Sequence, residues 1–260
     1  MAELSKMKLK RLNMDNSWWL QLSQVRVLID PWLEGEEVDG FRWFNTQWHR
    51  TPPIDYERVP DFDLVVITQK YPDHLHAQTL TRLQPRRVVA PASTKSRLRR
   101  LLPESELVCF GTDQATIQLG KLRIAWLSTQ RKIDPIYDAL LIDDGEESVL
   151  VATHGIRLDE RHAPALDEAP PCKLLVSPFN HYRLPAFLGG VVTPGLAGLK
   201  HLVESIEPDW VVATHDEDKH ARGLVPRLAQ VQRFDDTELQ DHPWLATRHL
   251  VMADYEEIEL

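Results

Sequence analysis

Cysteine is almost absent from this chain. Cys109 and Cys172 stand far apart, with no CxxC pair and no Cys/His cluster. That excludes a disulfide framework and a thiolate-ligated zinc site, and leaves both thiols as small buried hydrophobes. Long apolar runs are also missing. None approaches the roughly 20 residues that a membrane helix needs, and the start, MAELSKMKLK, has no signal-peptide apolar stretch. Positive charge is in deficit, with 30 Lys and Arg against 39 Asp and Glu and a net charge of −9. Such a field repels phosphate backbones and anionic lipid, which argues against nucleic-acid and membrane partners. No Gly-x-Ser-x-Gly elbow occurs, and Gly189, Gly190 and Gly195 complete neither a P-loop nor a GxGxxG turn. Internal repeats and Gly/Ser linkers are lacking as well. A cytoplasmic single domain over residues 1–260, acting on a small molecule, is the expectation.

What is present alternates strand and helix. Short β-branched or alternating runs occur at Trp18–Leu22, Val25–Ile29, Leu64–Thr68, Arg87–Ala90, Leu107–Cys109, Ala115–Gln118, Leu122–Leu127, Ala139–Ile142, Ser148–Ala152, Leu174–Val176 and Trp210–Ala213. Helical spacing occurs at Ala77–Leu83, Thr94–Leu102, Pro194–Ile206 and Gly223–Val231. Short links at Ser23-Gln24 and Leu119-Gly120-Lys121 favour hairpins, so the sheets are mixed. Glu34–Pro60 is too long for an ordinary connection and carries Phe41, Trp43, Phe44 and Trp48. It reads as a functional insertion or lid, or as an aromatic flap sealing the core edge. Trp18 and Trp19 read as core. The basic residues from Arg82 to Arg100 read as a solvated face or as steering for an anionic substrate.

The chemistry lies at three strand ends. Leu64-Val65-Val66-Ile67 runs into Thr68-Gln69-Lys70-Tyr71-Pro72-Asp73-His74-Leu75-His76, a strand followed by a loop holding a carboxylate and two imidazoles. His154 follows Ser148–Thr153, and His215 follows Trp210–Thr214. In α/β folds the loops after strands meet at a sheet edge, so the Asp73-His74-Leu75-His76 loop, His154 and His215 can converge there. Carboxylate with imidazole is ordinary ligation for first-row metals. His49, His162, His201, His220, His242 and His249 lack that context and read as surface or helix-packing residues.

Taken in order, Asn16-Ser17-Trp18-Trp19, Val27-Leu28-Ile29-Asp30-Pro31-Trp32-Leu33, Thr68 through Asp73-His74, His154-Gly155 and Ala213-Thr214-His215 resemble the metallo-β-lactamase superfamily. The likeness is closest to a divergent branch found in cyanobacteria and plants and related to lactonase-like members, whose metal loop reads Ser/Thr-Gln-x-x-Pro-Asp-His-x-His. The resemblance implies an αββα four-layer sandwich of two mixed sheets flanked by helices. It also implies a degenerate HxHxDH motif, with Gln69 and Tyr71 at the first two ligand positions. Trp126-Leu127-Ser128-Thr129-Gln130 offers no histidine, and His154 stands where the family has a bridging aspartate. An imidazole cannot bridge two metals. The implied centre is mononuclear, with Asp73, His74, His154 and His215 around zinc or, alternatively, iron or manganese. Asp73 is either a ligand or a general base. Asp30 is expected to orient the loop; His76 reads as a helix N-terminal polar residue or a pocket group, Tyr71 as filling the vacated ligand volume or meeting substrate, and His181 as pocket lining. The implied activity is metal-dependent hydrolysis of an ester, lactone or phosphoester. The alternative is a non-catalytic descendant that binds a metabolite, structural metal or partner.

Overall fold

The structure is a computed structural model describing residues 6–111, 114–129, 137–217 and 219–260. The chain divides into two compact units: Met1–Ile117 with Glu217–Gly223 and Met252–Leu260, and Gln118–Asp216 with Leu224–Val251.

The strands of the chain are, in order, β1 (Lys8–Arg11), β2 (Trp18–Leu22), β3 (Val25–Ile29), β4 (Glu36–Asp39), β5 (Asn45–Trp48), β6 (Leu64–Val66), β7 (Arg87–Pro91), β8 (Glu106–Phe110), β9 (Thr116–Leu119), β10 (Leu122–Leu127), β11 (Ala139–Asp143), β12 (Ser148–Val151), β13 (Cys172–Ser177), β14 (His181–Arg183), β15 (Val191–Pro194), β16 (Trp210–Ala213), β17 (His220–Gly223), β18 (Gln230–Gln232) and β19 (Glu257–Glu259). The helices are α1 (Ala77–Leu83), α2 (Lys95–Leu101), α3 (Ala163–Asp167), α4 (Leu196–Ile206), α5 (Leu224–Leu228), α6 (Asp236–Gln240) and α7 (Pro243–Ala246).

The first unit is built on a seven-stranded sheet ordered β19-β1-β2-β3-β6-β7-β8. β1, β2 and β3 pair antiparallel, whereas β3, β6, β7 and β8 run parallel. The parallel strand β6 is apolar throughout, as burial on both faces demands. Trp19, Leu28, Val65, Leu80, Val88 and Leu98 pack one core here, and Trp18 is wholly buried as well.

The second unit carries a six-stranded mixed sheet ordered β16-β13-β12-β11-β10-β9. Its parallel part is β12, β13 and β16. α4 buries Leu199, Leu202 and Val203 against Leu150, Leu175 and Val211 in the core of that unit. The mixed α/β expectation holds.

Differences from the sequence expectation are local. Glu34–Pro60 contains the β4/β5 hairpin, which β17 joins into a three-stranded sheet. At its turn Phe41 and Trp43 are 65% and 67% exposed and stacked, so these two rings do not seal a core edge. The expected helix Gly223–Val231 shrinks to α5 because Gln230–Gln232 pairs with β14 instead. α4 starts later than Pro194 because Gly195 sits at φ +66°, outside the helical region. Cys109 and Cys172 are only partly buried. The basic run is partly paired, Arg82 with Glu34 and Arg87 with Glu106. No helix among the described residues is long and apolar enough to cross a membrane.

Candidate metal centre

In the first unit the parallel register sets Ile29 beside Val66, so the residues leaving β3 and β6 are neighbours. Asp30, wholly buried, turns there at φ +44°. Its Oδ1 accepts from the Thr68 amide at 2.7 Å and its Oδ2 from the Thr68 hydroxyl at 2.5 Å. The same Oδ2 lies 2.6 Å from His74 Nδ1, whose N–H donates to it. The proton is thereby held on Nδ1, and the ligating lone pair of the ring is directed to Nε2, 3.6 Å from Asp73 Oδ2. Asn16 Nδ2 donates to the Asp73 carbonyl at 3.0 Å, and the amides of His74 and Leu75 donate to Tyr71 O. The loop is thus fixed from below and within. Burial opposes a charge on His74, but Asp73 and then Asp30 outweigh it and raise the imidazole to about 8.

The other loop residues part company. His76 is the N-cap of α1: its Nδ1 accepts from the Thr79 amide, and its Nε2 is 3.5 Å from Glu36 O. Burial pulls its pKa down to about 4. Tyr71 lines a cavity of about 470 Å³ with Asp39, Lys70, Pro72 and Arg97.

Three residues the sequence reading passed over share this unit. Asp15 is wholly buried and holds Lys219 Nζ at 2.6 Å. Glu37 is also buried; burial, then Asp73, pushes its pKa up to about 9. Lys219 stays protonated because Asp15 and Asp73 overcome its desolvation. The one signal in the sequence was a lysine closing the acidic run Asp216-Glu217-Asp218 soon after His215. His49, expected at the surface, has a buried side chain 2.5 Å from the buried Glu217 carboxylate, which also accepts from the Arg50 and Thr51 amides.

In the second unit the register of β12, β13 and β16 aligns Val151, Val176 and Val212, so the residues leaving β12 and β16 emerge at one edge. His154 and His215 stand there ring to ring, centroids 4.7 Å apart. Backbone geometry places them. His215 adopts φ +57°, rare for a non-glycine residue, and its carbonyl accepts from Asn180 Nδ2 at 2.7 Å. Gly155, at φ +76°, closes a turn onto Ala152 O, and a Cβ there would meet Pro194 Cγ at 3.0 Å. His181 sits on the separate β15-β14-β18 sheet, its Cβ only 2.9 Å from where a side chain on Gly195 would begin. His162, expected at the surface or on a helix face, is buried between Ser128 O and the Asp159 amide. Thr129 donates twice to Asp138; Gln130 lies outside the described residues.

Residues 25–131 match the family described as the beta-lactamase superfamily domain. Cytidine monophosphate-N-acetylneuraminic acid hydroxylase from Cricetulus griseus is 28% identical over 127 residues, which is 48% of this chain but 21% of that protein. The chain therefore spans about a fifth of the length of that curated relative. Among solved structures, an isothiocyanate hydrolase from Delia radicum gut bacteria superposes with a TM-score of 0.68 at 16% identity, covering 96% of this chain and 98% of its own. The metallo-beta-lactamase fold protein YhfI from Bacillus subtilis superposes with a TM-score of 0.63 at 12% identity, covering 98% and 99%. The chain has the metallo-β-lactamase fold, and its first half carries the sequence match to that superfamily.

Proposed function

We propose that Asp73, His74, His154 and His215 bind one divalent metal ion, zinc first and iron or manganese as alternatives, and that the protein hydrolyses an ester, lactone or phosphoester bond of a small molecule. The observation that carries this reading is the buried Asp30–His74 pair: a carboxylate holding Nδ1–H is the usual support of a metal-ligating imidazole. The donor chemistry fits, because one carboxylate and three imidazoles suit borderline first-row ions. Neither unit holds the whole donor set, so both act as one domain over residues 1–260 in this reading. The hydrolase among the structural neighbours supports it.

When bound, the ion supplies Lewis acidity toward the scissile carbonyl or phosphoryl group and toward water. Asp30 keeps His74 in the required tautomer, and Asn16 steadies the Asp73 backbone. Asp73, partly open to solvent, is the group of the set able to take a proton from water if it is not needed as a ligand. Tyr71, Lys70 and Arg97 line the cavity beside the same loop, and the two cations suit a substrate with an acidic group.

A second reading, a non-catalytic protein binding a metabolite, structural metal or partner, is favoured by Gln69 and Tyr71 at the first two positions of the degenerate motif. Metal content decides first. Protein purified without a metal-affinity step is expected to carry near one equivalent of zinc, iron or manganese, and His215→Ala to lose it with its fold intact. Iron would turn attention to oxidation chemistry, as in the hydroxylase relative. Less than about a tenth of an equivalent after reconstitution overturns the metal reading. Turnover of nitrophenyl esters, lactones and phosphodiesters by wild type, absent in His215→Ala, separates the enzyme from the binding protein.

A further inference from the structure

We propose that Lys219 is a built-in cation filling a carboxylate-lined site beside Asp73, so that the protein takes a single divalent ion and uses the fixed ammonium as its second positive charge. The inference rests on the metal-dependent reading above and deepens it by assigning Lys219, Asp15 and Glu37.

Three carboxylates of the first unit interact, Asp15 and Asp73 by proximity and buried Glu37 through their charges on it. Asp15 has no exposed side-chain surface, Glu37 is 3% exposed, and an oxygen of Asp15 and one of Asp73 fall within 4.8 Å of one another. Carboxylates this close repel one another unless a cation sits among them. The Lys219 ammonium is that cation. It lies 2.6 Å from Asp15 Oδ2 with only 13% of its side chain exposed, and the charges of Asp73 and Glu37 act on it too. The Trp32 ring, 5.5 Å from Nζ, adds a further attraction for a positive group.

Sheet register puts the parts there. β17 begins at His220 opposite Trp48, and Trp48 is opposite Glu36. Glu37 therefore lies across β5 on the rung of Ala221, two residues beyond Lys219. A second feature points to a cation larger in charge than one ammonium: buried Glu37 Oε2 has no hydrogen-bond partner among the described residues. An ammonium offers three donors on a flexible stem, whereas a divalent ion takes one oxygen from each of several carboxylates. With lysine present the site is already filled and cannot release its charge. Held there, Lys219 presents positive charge beside Asp73, where it can stabilise negative charge developing on a substrate oxygen.

The test counts metal. Full-length wild type, Lys219→Met and Lys219→Arg are equilibrated with excess Mn²⁺, freed of unbound ion, and assayed for metal per chain by mass spectrometry. Wild type and Lys219→Arg are expected to hold one equivalent and Lys219→Met two. A wild type holding none with Lys219→Met holding one keeps the Lys219 assignment and refutes the single-ion reading of the preceding section. Any other count for a folded Lys219→Met overturns the assignment. If Lys219→Met is too unstable to count, thermal unfolding with and without Mn²⁺ replaces the count. A rise of several degrees beyond that of wild type supports the assignment, and an equal or smaller rise overturns it.

Discussion

The two units place their imidazoles by different means. In the first, His74 is wholly buried and locked by charge: Asp30 grips its Nδ1 while also taking the Thr68 amide and hydroxyl, so one carboxylate ties two strand ends to the ring. In the second, backbone conformation sets the rings. His154 and His215 owe their places to backbone turns, a glycine at φ +76° behind one and a left-handed residue at φ +57° for the other. The first unit thus supplies an imidazole braced by a buried carboxylate, the second two imidazoles whose aim depends on loop conformation. The comparison predicts that damage to the first kind shows in global stability and damage to the second in metal retention.

The largest effect is therefore expected from Asp30→Ala. It strips His74, the Thr68 amide and the Thr68 hydroxyl of their shared acceptor in a place water does not reach. Breaking a buried pair by removing one partner costs about 3–5 kcal/mol. Urea unfolding should show a loss in that range, with metal content falling as well. A loss below about 1 kcal/mol, the value for an exposed pair, would mean that the first unit is no stiffer than the second.

Gly155→Ala sharpens the other side. The added methyl meets Pro194 Cγ at 3.0 Å, and the residue must hold a positive φ. A cost of about 1–2 kcal/mol is expected for an L-residue in that region. The informative outcome is disproportion: metal affinity should drop more than stability does, because the turn aims His154. Equal losses would argue that the turn merely holds the core together.

How much of this could be read beforehand follows the same division. β2, β3, β10, β16 and α1 coincide with runs whose periodicity is set by burial, and burial is written in the residue types. The four ligand candidates stood out because each follows such a strand. The β4/β5/β17 sheet was not legible, since its third strand comes from residues far along the chain and its register is fixed by backbone pairing rather than by apolar alternation. Asp15, Glu37 and Lys219 were missed for that reason: nothing local distinguishes Lys219 from a solvated lysine until the sheet brings it to Asp15. His49 misled similarly, its partner Glu217 being distant in sequence.

The smallest predicted effect sets two imidazoles of one loop against each other. His76 lies two residues beyond His74, yet burial lowers it to about 4 from the ordinary 6.5, whereas His74 rises to about 8. A group whose folded pKa is depressed adds stability above its unfolded pKa and loses it as pH falls, so His76 weakens the fold between about 6.5 and 4. Its protonation also costs the acceptor that caps α1 through the Thr79 amide. His74 has the opposite sign: in metal-free protein the attraction of its charge to Asp73 and then Asp30 is fully present below about 6.5 and fades as pH rises through about 8. His76→Asn keeps a capping side chain and removes the titration, so stability near neutral pH should change by less than about 1 kcal/mol. Unfolding free energies across pH 4–9 in the presence of a chelator should then show the acid limb flattened in His76→Asn and the alkaline limb unchanged. An alkaline limb that flattens as well would show that the two rings titrate as one network, and that the lock on His74 extends through the loop to the helix it precedes.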